Sequence, residues 1–263
     1  IHQEVNDLSL FEQYKDIHFY NSTNFEIIKN VTTIVKKAIE NGYDQNDIQV
    51  LAPIYKGVAG IDALNLALQE VFNPKEDQDE YRIGQTVYRV GDKILQTKNR
   101  PDDDVYNGDI GVLVEIGRKD GFEYLEDTLI VDFDGNFVEY TSKDFLTFTL
   151  AYCMSIHKAQ GNEFKIVIMP VLNDYYIMLK RNLIYTGLTR AKQSLFILGS
   201  PKAFLYGIQN VKDAKRKTTL TSKINQEQSL NLYDFLEEEE SSLGETVDES
   251  GYQEDLPFED VPF

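Results

Sequence analysis

Two stretches of this sequence carry polar groups at spacings that suit a phosphate ligand. The first is Ser155-Ile156-His157-Lys158-Ala159-Gln160-Gly161-Asn162-Glu163-Phe164, set between two apolar runs. A polar, glycine-containing loop at the end of a central strand is where α/β proteins place ligands. Gly161 would let backbone come close to a phosphate, and Glu163 could accept from ribose hydroxyls. His157 and Lys158 could meet a polyanion. The same residues also fit a connecting loop with solvated charges, and this stretch alone does not choose. The second stretch is Arg181-Asn182-Leu183-Ile184-Tyr185-Thr186-Gly187-Leu188-Thr189-Arg190-Ala191-Lys192. Arg190 near a helix C-terminus is mildly favoured by the helix dipole. Its sharper use is an arginine finger, a cation that stabilises charge on a transferring γ-phosphoryl group.

Other chemistries are poorly represented. The dipeptide Gly-Lys never occurs, so the chain has no G-x-x-x-x-G-K-[ST] loop to grip β- and γ-phosphates. Asp79-Glu80 follows no apolar strand and is a poor magnesium motif. With three histidines (His2, His18, His157) and one cysteine (Cys153), no metal site is expected. No G-x-S-x-G elbow is present either.

The elements that must position these residues alternate between strand and helix. Asp16 to Asn21 reads as a strand. Ser22 or Thr23 can then cap a helix through about Asn41, with Ile27, Ile28, Val31, Ile34, Val35, Ala38 and Ile39 at helical spacing. Gly42 ends it. Ile48 to Pro53 is a buried strand and Ile61 to Phe72 an amphipathic helix. Lys75 to Tyr81 is a charged linker. From about Gly84 to Leu146 short strands and turns follow closely, including Asp134-Gly135-Asn136, a strong hairpin signal. That stretch suggests a small inserted barrel. Leu150 to Ile156 and Ile166 to Val171 read as strands, and Leu179 to Lys192 as a helix. Ser194 to Gly199 is a strand and Pro201 to Ile208 a last helix. The fold class is α/β.

H-K-x-Q-G-x-E-F, followed by R-N-L-x-Y-T-x-x-T-R-A-K, resembles motifs V and VI of superfamily 1 helicases, most closely the RecD-like, 5′→3′ branch. Leu51 to Gly57, Gly60 to Asn65 and Phe72-Asn73-Pro74 resemble that family's second motor domain. Val90-Gly91-Asp92-Lys93 with Asn107-Gly108-Asp109-Ile110-Gly111 resembles its inserted SH3-like barrel. The resemblance covers about residues 1–208, in the family's order.

It implies the C-terminal part of an ATP-driven DNA motor in repair or recombination. Residues 1–81 and 147–223 would form a RecA-like parallel-sheet domain, and residues 82–146 the SH3-like barrel. By position Arg190 matches the finger, and Gln160, Gly161 and Glu163 match the loop at the nucleotide. Ser155, His157 and Lys158 match residues linking that loop to DNA. Lys93, Lys98 and Asn107 of the barrel, with Arg100 and with Tyr88 or Tyr106 as stacking surfaces, are its candidates for single-stranded DNA. Ser155 stands where the family usually has Thr, and Ala159 where it has Ser. ATP and Mg2+ would be held mainly by a first RecA-like domain that this sequence lacks, so this piece alone is expected to be inactive. The implied partners are single-stranded DNA, duplex junctions and that first domain, and no membrane. A non-catalytic DNA- or protein-binding adaptor remains the alternative.

The whole-chain charge of −18, from 26 basic and 44 acidic residues, at first argues against nucleic acid. Its distribution says otherwise. Residues 151–223, which hold both stretches, carry 12 Lys/Arg and 3 Asp/Glu, whereas residues 224–263 carry 13 acids and no base. A single cysteine and no apolar run long enough to span a membrane fit a bacterial cytoplasm. The chain begins at Ile1 and reads as a piece of something longer.

Residues 224–263 read as a disordered acidic tail. It ends in Glu254-Asp255-Leu256-Pro257-Phe258 and Glu259-Asp260-Val261-Pro262-Phe263. This repeat resembles the C-terminal tip of bacterial single-stranded-DNA-binding proteins. There Pro262 and Phe263 would enter an apolar pocket while carboxylates meet a basic rim. Deleting Phe263 is expected to abolish capture by proteins that recognise such tips; unchanged pull-down would refute the tip reading.

Overall fold

The computed structural model describes residues 14–119 and 124–211. The acidic tail, with Pro262 and Phe263, and the basic stretch 212–223 lie outside them.

The apolar periodicities become two helices on a parallel sheet. Strand β1 is Ile17–Asn21 and helix α1 is Ile27–Glu40, which buries Ile27, Val31, Val35 and Ala38 along one face. The expected Ser22 or Thr23 cap is displaced to Glu26, whose side chain caps nothing. Thr23 instead donates its N–H and hydroxyl to the Glu26 carboxylate while accepting from the Glu26 N–H, and this turn delays the helix. At the other end Gly42 has φ +87°, and the N–H groups of Gly42 and Tyr43 close on the Ile39 and Ala38 carbonyls. Strand β2 (Ile48–Ala52) is wholly buried, and α2 spans Ile61–Phe72.

Strands β3 (Glu80–Ile83) and β4 (Thr86–Arg89) form a hairpin, so the charged linker is shorter than its composition suggested. An antiparallel sheet follows, built from β5 (Lys93–Gln96), β6 (Ile110–Gly117), β7 (Thr128–Phe133), β8 (Asn136–Tyr140) and β9 (Phe148–Leu150) in the order β8-β7-β6-β5-β9. Asp134 and Gly135, at φ 54° and 91°, make the β7–β8 turn. Inside it Tyr140 and Tyr88 meet Phe148 edge to face.

The chain then returns to the first sheet through β10 (Cys153–Ser155), β11 (Phe164–Val171) and β12 (Ala191–Gly199), with α3 (Arg181–Leu188) and α4 (Pro201–Gln209). That sheet has the order β1-β12-β11-β2-β10 and is parallel throughout. Two expectations need correction. The apolar run 150–156 is two strands: Phe148–Leu150 pairs with β5, beyond the expected boundary at 146, and Cys153–Ser155 pairs with β2. Ala151 and Tyr152 carry the chain between the sheets, and both are buried. The predicted helix to Lys192 stops at Leu188, because β12 already begins at Ala191, opposite Phe164.

A seam of buried polar groups joins the antiparallel sheet to the parallel one. Asp92 accepts from Gln69 Nε2 at 2.6 Å, Asn73 Nδ2 at 2.8 Å, Tyr152 Oη at 2.9 Å and the Arg89 N–H at 2.7 Å. Burial raises its carboxyl above the ordinary value, although these four bonds pull the other way. The ring of Phe72 lies flat on that of Tyr152. Beside the seam Asn65 closes two bonds on β10, donating to the Cys153 carbonyl at 2.8 Å and accepting from its N–H at 2.7 Å. The Cys153 thiol is itself buried, and burial holds its pKa above the usual thiol range.

Asn65→Ala leaves a buried N–H and a buried carbonyl without that partner, so it should cost roughly 2–4 kcal/mol. Urea unfolding checks this, and a loss below about 0.5 kcal/mol would show β10 to be held otherwise.

Candidate nucleotide and nucleic-acid site

Strand β10 ends at Ser155, and β11 begins at Phe164 after eight intervening residues. The intervening loop is pinned from inside. Ile156 and Ala159 are buried, and the Ser155 carbonyl accepts from the N–H groups of Lys158 and Ala159 at 3.0 and 3.3 Å. Ser155 Oγ also accepts from the Lys158 N–H at 3.4 Å. Ser155 is therefore turned inward, where it shapes the loop. Gly161 has φ +93° with open space where a Cβ would stand, so its backbone is accessible from outside. His157, Gln160, Gly161 and Glu163 are exposed. Lys158 is half-buried, and burial lowers its ammonium pKa.

The register between β11 and β12 brings Arg190 to this loop. Phe164 pairs with Ala191, and the Phe164 N–H donates to the Arg190 carbonyl at 2.9 Å. The guanidinium donates through Nη1 to the Asn162 carbonyl at 3.0 Å, through Nε to the Thr186 carbonyl at 3.2 Å and through Nη2 to Thr189 Oγ1 at 3.2 Å. Arg190 thus sits just past the C-cap of α3, in the turn that leads into β12. Glu163 meets Lys192 Nζ at 3.3 Å, with both side chains about half exposed. An exposed pair of this kind is worth little, and Glu163 can exchange it for another partner.

The antiparallel sheet also reaches the loop. Its turn Asn107-Gly108 lies against it: Asn162 Nδ2 donates to the Gly108 carbonyl at 3.4 Å, and a Cβ on Gly108 would stand 3.6 Å from the Lys158 carbonyl oxygen. Asn107 and Tyr106 are exposed there, and the Asn107 N–H is held by Asn99 Oδ1 at 2.9 Å. Lys98 is exposed just beyond β5. Ser155, His157, Lys158, Gln160, Gly161, Glu163, Arg190 and Asn107 therefore gather at one place.

Three barrel expectations fail. Lys93 is 1% exposed, and its Nζ donates to the Gln45 carbonyl at 2.7 Å, Gln49 Oε1 at 3.1 Å and the Ile48 carbonyl at 3.3 Å. It points from β5, the strand between β6 and β9, into the parallel sheet and cannot face DNA. Tyr88 is buried against Phe148, so it offers no stacking surface. Arg100 lies over the Tyr140 ring and bonds Asp103 at 2.6 Å. Sequence reasoning passed over Asn162 as the variable position of its motif. An amide between Gly161 and a carboxylate was the available signal.

Among the described residues no group of three or more His, Cys, Asp or Glu could hold a metal ion, and no helix is long and apolar enough to cross a membrane.

Residues 64–133 match the ATP-dependent RecD-like DNA helicase SH3 domain, and residues 150–198, from the end of β9 to the end of β12, match the UvrD-like helicase C-terminal domain. The chain is 38% identical over 177 residues to the ATP-dependent RecD2 DNA helicase of Deinococcus radiodurans, covering 67% of this chain and 23% of that protein. It is 27% identical over 257 residues to the RecBCD enzyme subunit RecD of Haemophilus influenzae, covering 81% and 35%. The chain thus spans between about a quarter and a third of these relatives. Among solved structures it is similar to a Pif1 helicase from Bacteroides in complex with ADP-AlF3 and ssDNA, at 13% identity and a TM-score of 0.43, over 81% of this chain and 55% of that one.

Burial pushes the Lys93 ammonium down to about 7, against the pull of Asp44 and Asp47. Between that value and 10.5 the unfolded chain keeps a proton that the folded chain releases, so this group makes stability rise with pH across the window. The slope is at most about 1.4 kcal/mol per pH unit. Comparing unfolding from about pH 7 to 9 in the parent and in Lys93→Met should show the rise only in the parent. Equal slopes would show that Lys93 keeps its ordinary pKa.

Proposed function

We propose, on the premise that this chain is the C-terminal region of a RecD-like helicase, that it serves as the second motor domain of an ATP-dependent 5′→3′ DNA helicase or translocase. In this reading Arg190 is the arginine finger. Gln160, Gly161 and Glu163 border the nucleotide, and His157, Lys158, Lys98 and Asn107 lie along single-stranded DNA. Ser155 acts through the loop it shapes, and Lys93 is withdrawn from the track. ATP, with Mg2+, would lie between this domain and a first RecA-like domain carrying the phosphate-binding loop. Alone, this piece would bind DNA without turning ATP over. DNA junctions, work in repair or recombination and a cytoplasmic location belong to the same reading.

The observation that carries the proposal is the placement of Arg190. Its guanidinium is half-buried at the edge of the loop, held by two backbone carbonyls and one hydroxyl, all neutral. A cation held only by neutral acceptors keeps its full charge for an incoming anion, and reaching a phosphate breaks no ion pair there. The backbone at Gly161 and the loosely paired Glu163 lie on the same loop. In the transition state of phosphoryl transfer, charge spreads over the γ-phosphate oxygens, and a finger stabilises it by orders of magnitude in rate. The charge balance of residues 151–223 suits a phosphate backbone.

In the full-length protein, Arg190→Ala should lower DNA-stimulated ATP turnover by about 10³-fold or more while nucleotide binding persists. Turnover within a few-fold of the parent, measured with saturating single-stranded DNA, would remove Arg190 from this role.

A further inference from the structure

Asn162, in the loop, and Phe164, the first residue of β11, touch both Arg190 and the antiparallel sheet. Asn162 accepts from Arg190 Nη1 through its carbonyl, and its side-chain amide donates to the Gly108 carbonyl. Phe164 donates its N–H to the Arg190 carbonyl, and its ring lies under Lys93, with Nζ 5.4 Å from the centroid. Lys93 belongs to β5 and Gly108 to the turn that leads into β6. The guanidinium and the backbone of Arg190 are therefore each one residue away from the inserted sheet, by separate routes. Both routes are short, and both end on groups bonded in turn to β5 or to the parallel sheet. Lys93 is locked by three acceptors, and the Gly108 N–H is bonded to the Gln96 carbonyl at 3.0 Å.

We infer that Asn162 and Phe164 are positioning residues that couple the SH3-like unit to Arg190. A nucleic-acid strand pressing on the exposed Tyr106-Asn107 turn would move the Gly108 carbonyl and with it Asn162, whose own carbonyl holds the guanidinium. The aim of Arg190 then depends on whether the barrel is engaged. This rests on reading Arg190 as the finger. The coupling is thermodynamic, so it works in both directions: a nucleotide that draws Arg190 away loosens the turn.

The test measures, in the full-length protein at saturating ATP, the factor by which oligo(dT) raises ATP turnover. Asn162→Leu keeps the size and the backbone carbonyl but removes the amide donor. It should lower that factor about 5- to 10-fold, the scale of a typical coupling, with the KM for ATP and the melting temperature unchanged. Asn162→Gln keeps a donor and should recover at least half. Phe164→Leu keeps the N–H but loses the ring under Lys93, and should lower the factor independently. Full stimulation in Asn162→Leu overturns the coupling. Should that variant fail to fold, Phe164→Leu decides, and full stimulation there overturns it equally. The two readings fail separately. Arg190→Ala with normal turnover sinks the finger, whereas Arg190→Ala inactive beside a fully stimulated Asn162→Leu sinks only the coupling.

Discussion

An ammonium group taken out of water has to find oxygen, or fold badly. That constraint, met at Lys93, ties the antiparallel sheet to the parallel one. The three oxygens that receive it come from Gln45, Ile48 and Gln49, at and just before the start of β2, so β5 is nailed to the parallel sheet at that strand. The neighbouring carboxylate of Asp92 faces the other way and is met by α2 and Tyr152. The polar ends of adjacent residues thus reach opposite sides of the seam. Neither has slack, because a buried polar group left without a partner costs about 1–3 kcal/mol. Hydrophobic contact alone would let the two sheets slide. These directional bonds do not.

From that fixed seam, register does the rest. Gln49 spends its amide on the carbonyls of Val50, Ala151 and Tyr152, and Asn65 ties down Cys153, so the short strand β10 cannot drift. Its last residue starts the loop, and the pairing of Phe164 with Ala191 ends it. The backbone of Arg190 is placed by its being the residue before Ala191, with its carbonyl accepting from the Phe164 N–H. The guanidinium then needs only weak local acceptors.

The strands and helices of the parallel sheet were legible from apolar runs and glycine stops because each buries one face over several residues. α2 was read to the residue. The two misreadings share a cause. At 148–156 and 188–192 one apolar or mixed run passes from one element to another within two residues, faster than any periodicity can register. The loop around Gly161 stood out because polar residues interrupt two buried strands. The fate of Lys93 did not, since a lysine in a strand reads as solvated, and only the partners supplied by residues 45–49 make burial tolerable. Asn162 was passed over for a related reason: its side-chain partner is Gly108, more than fifty residues away.

Cys153 has a use that its chemistry does not advertise. The chain contains no other cysteine, and this one is fully covered, with burial keeping the thiol protonated. Thiolate is the form that reacts with maleimides. A cysteine introduced at an exposed position such as 107 or 157 would therefore accept a dye alone, with no background and no need to strip the native thiol. Fluorescence could then follow the turn and the loop within the same molecules.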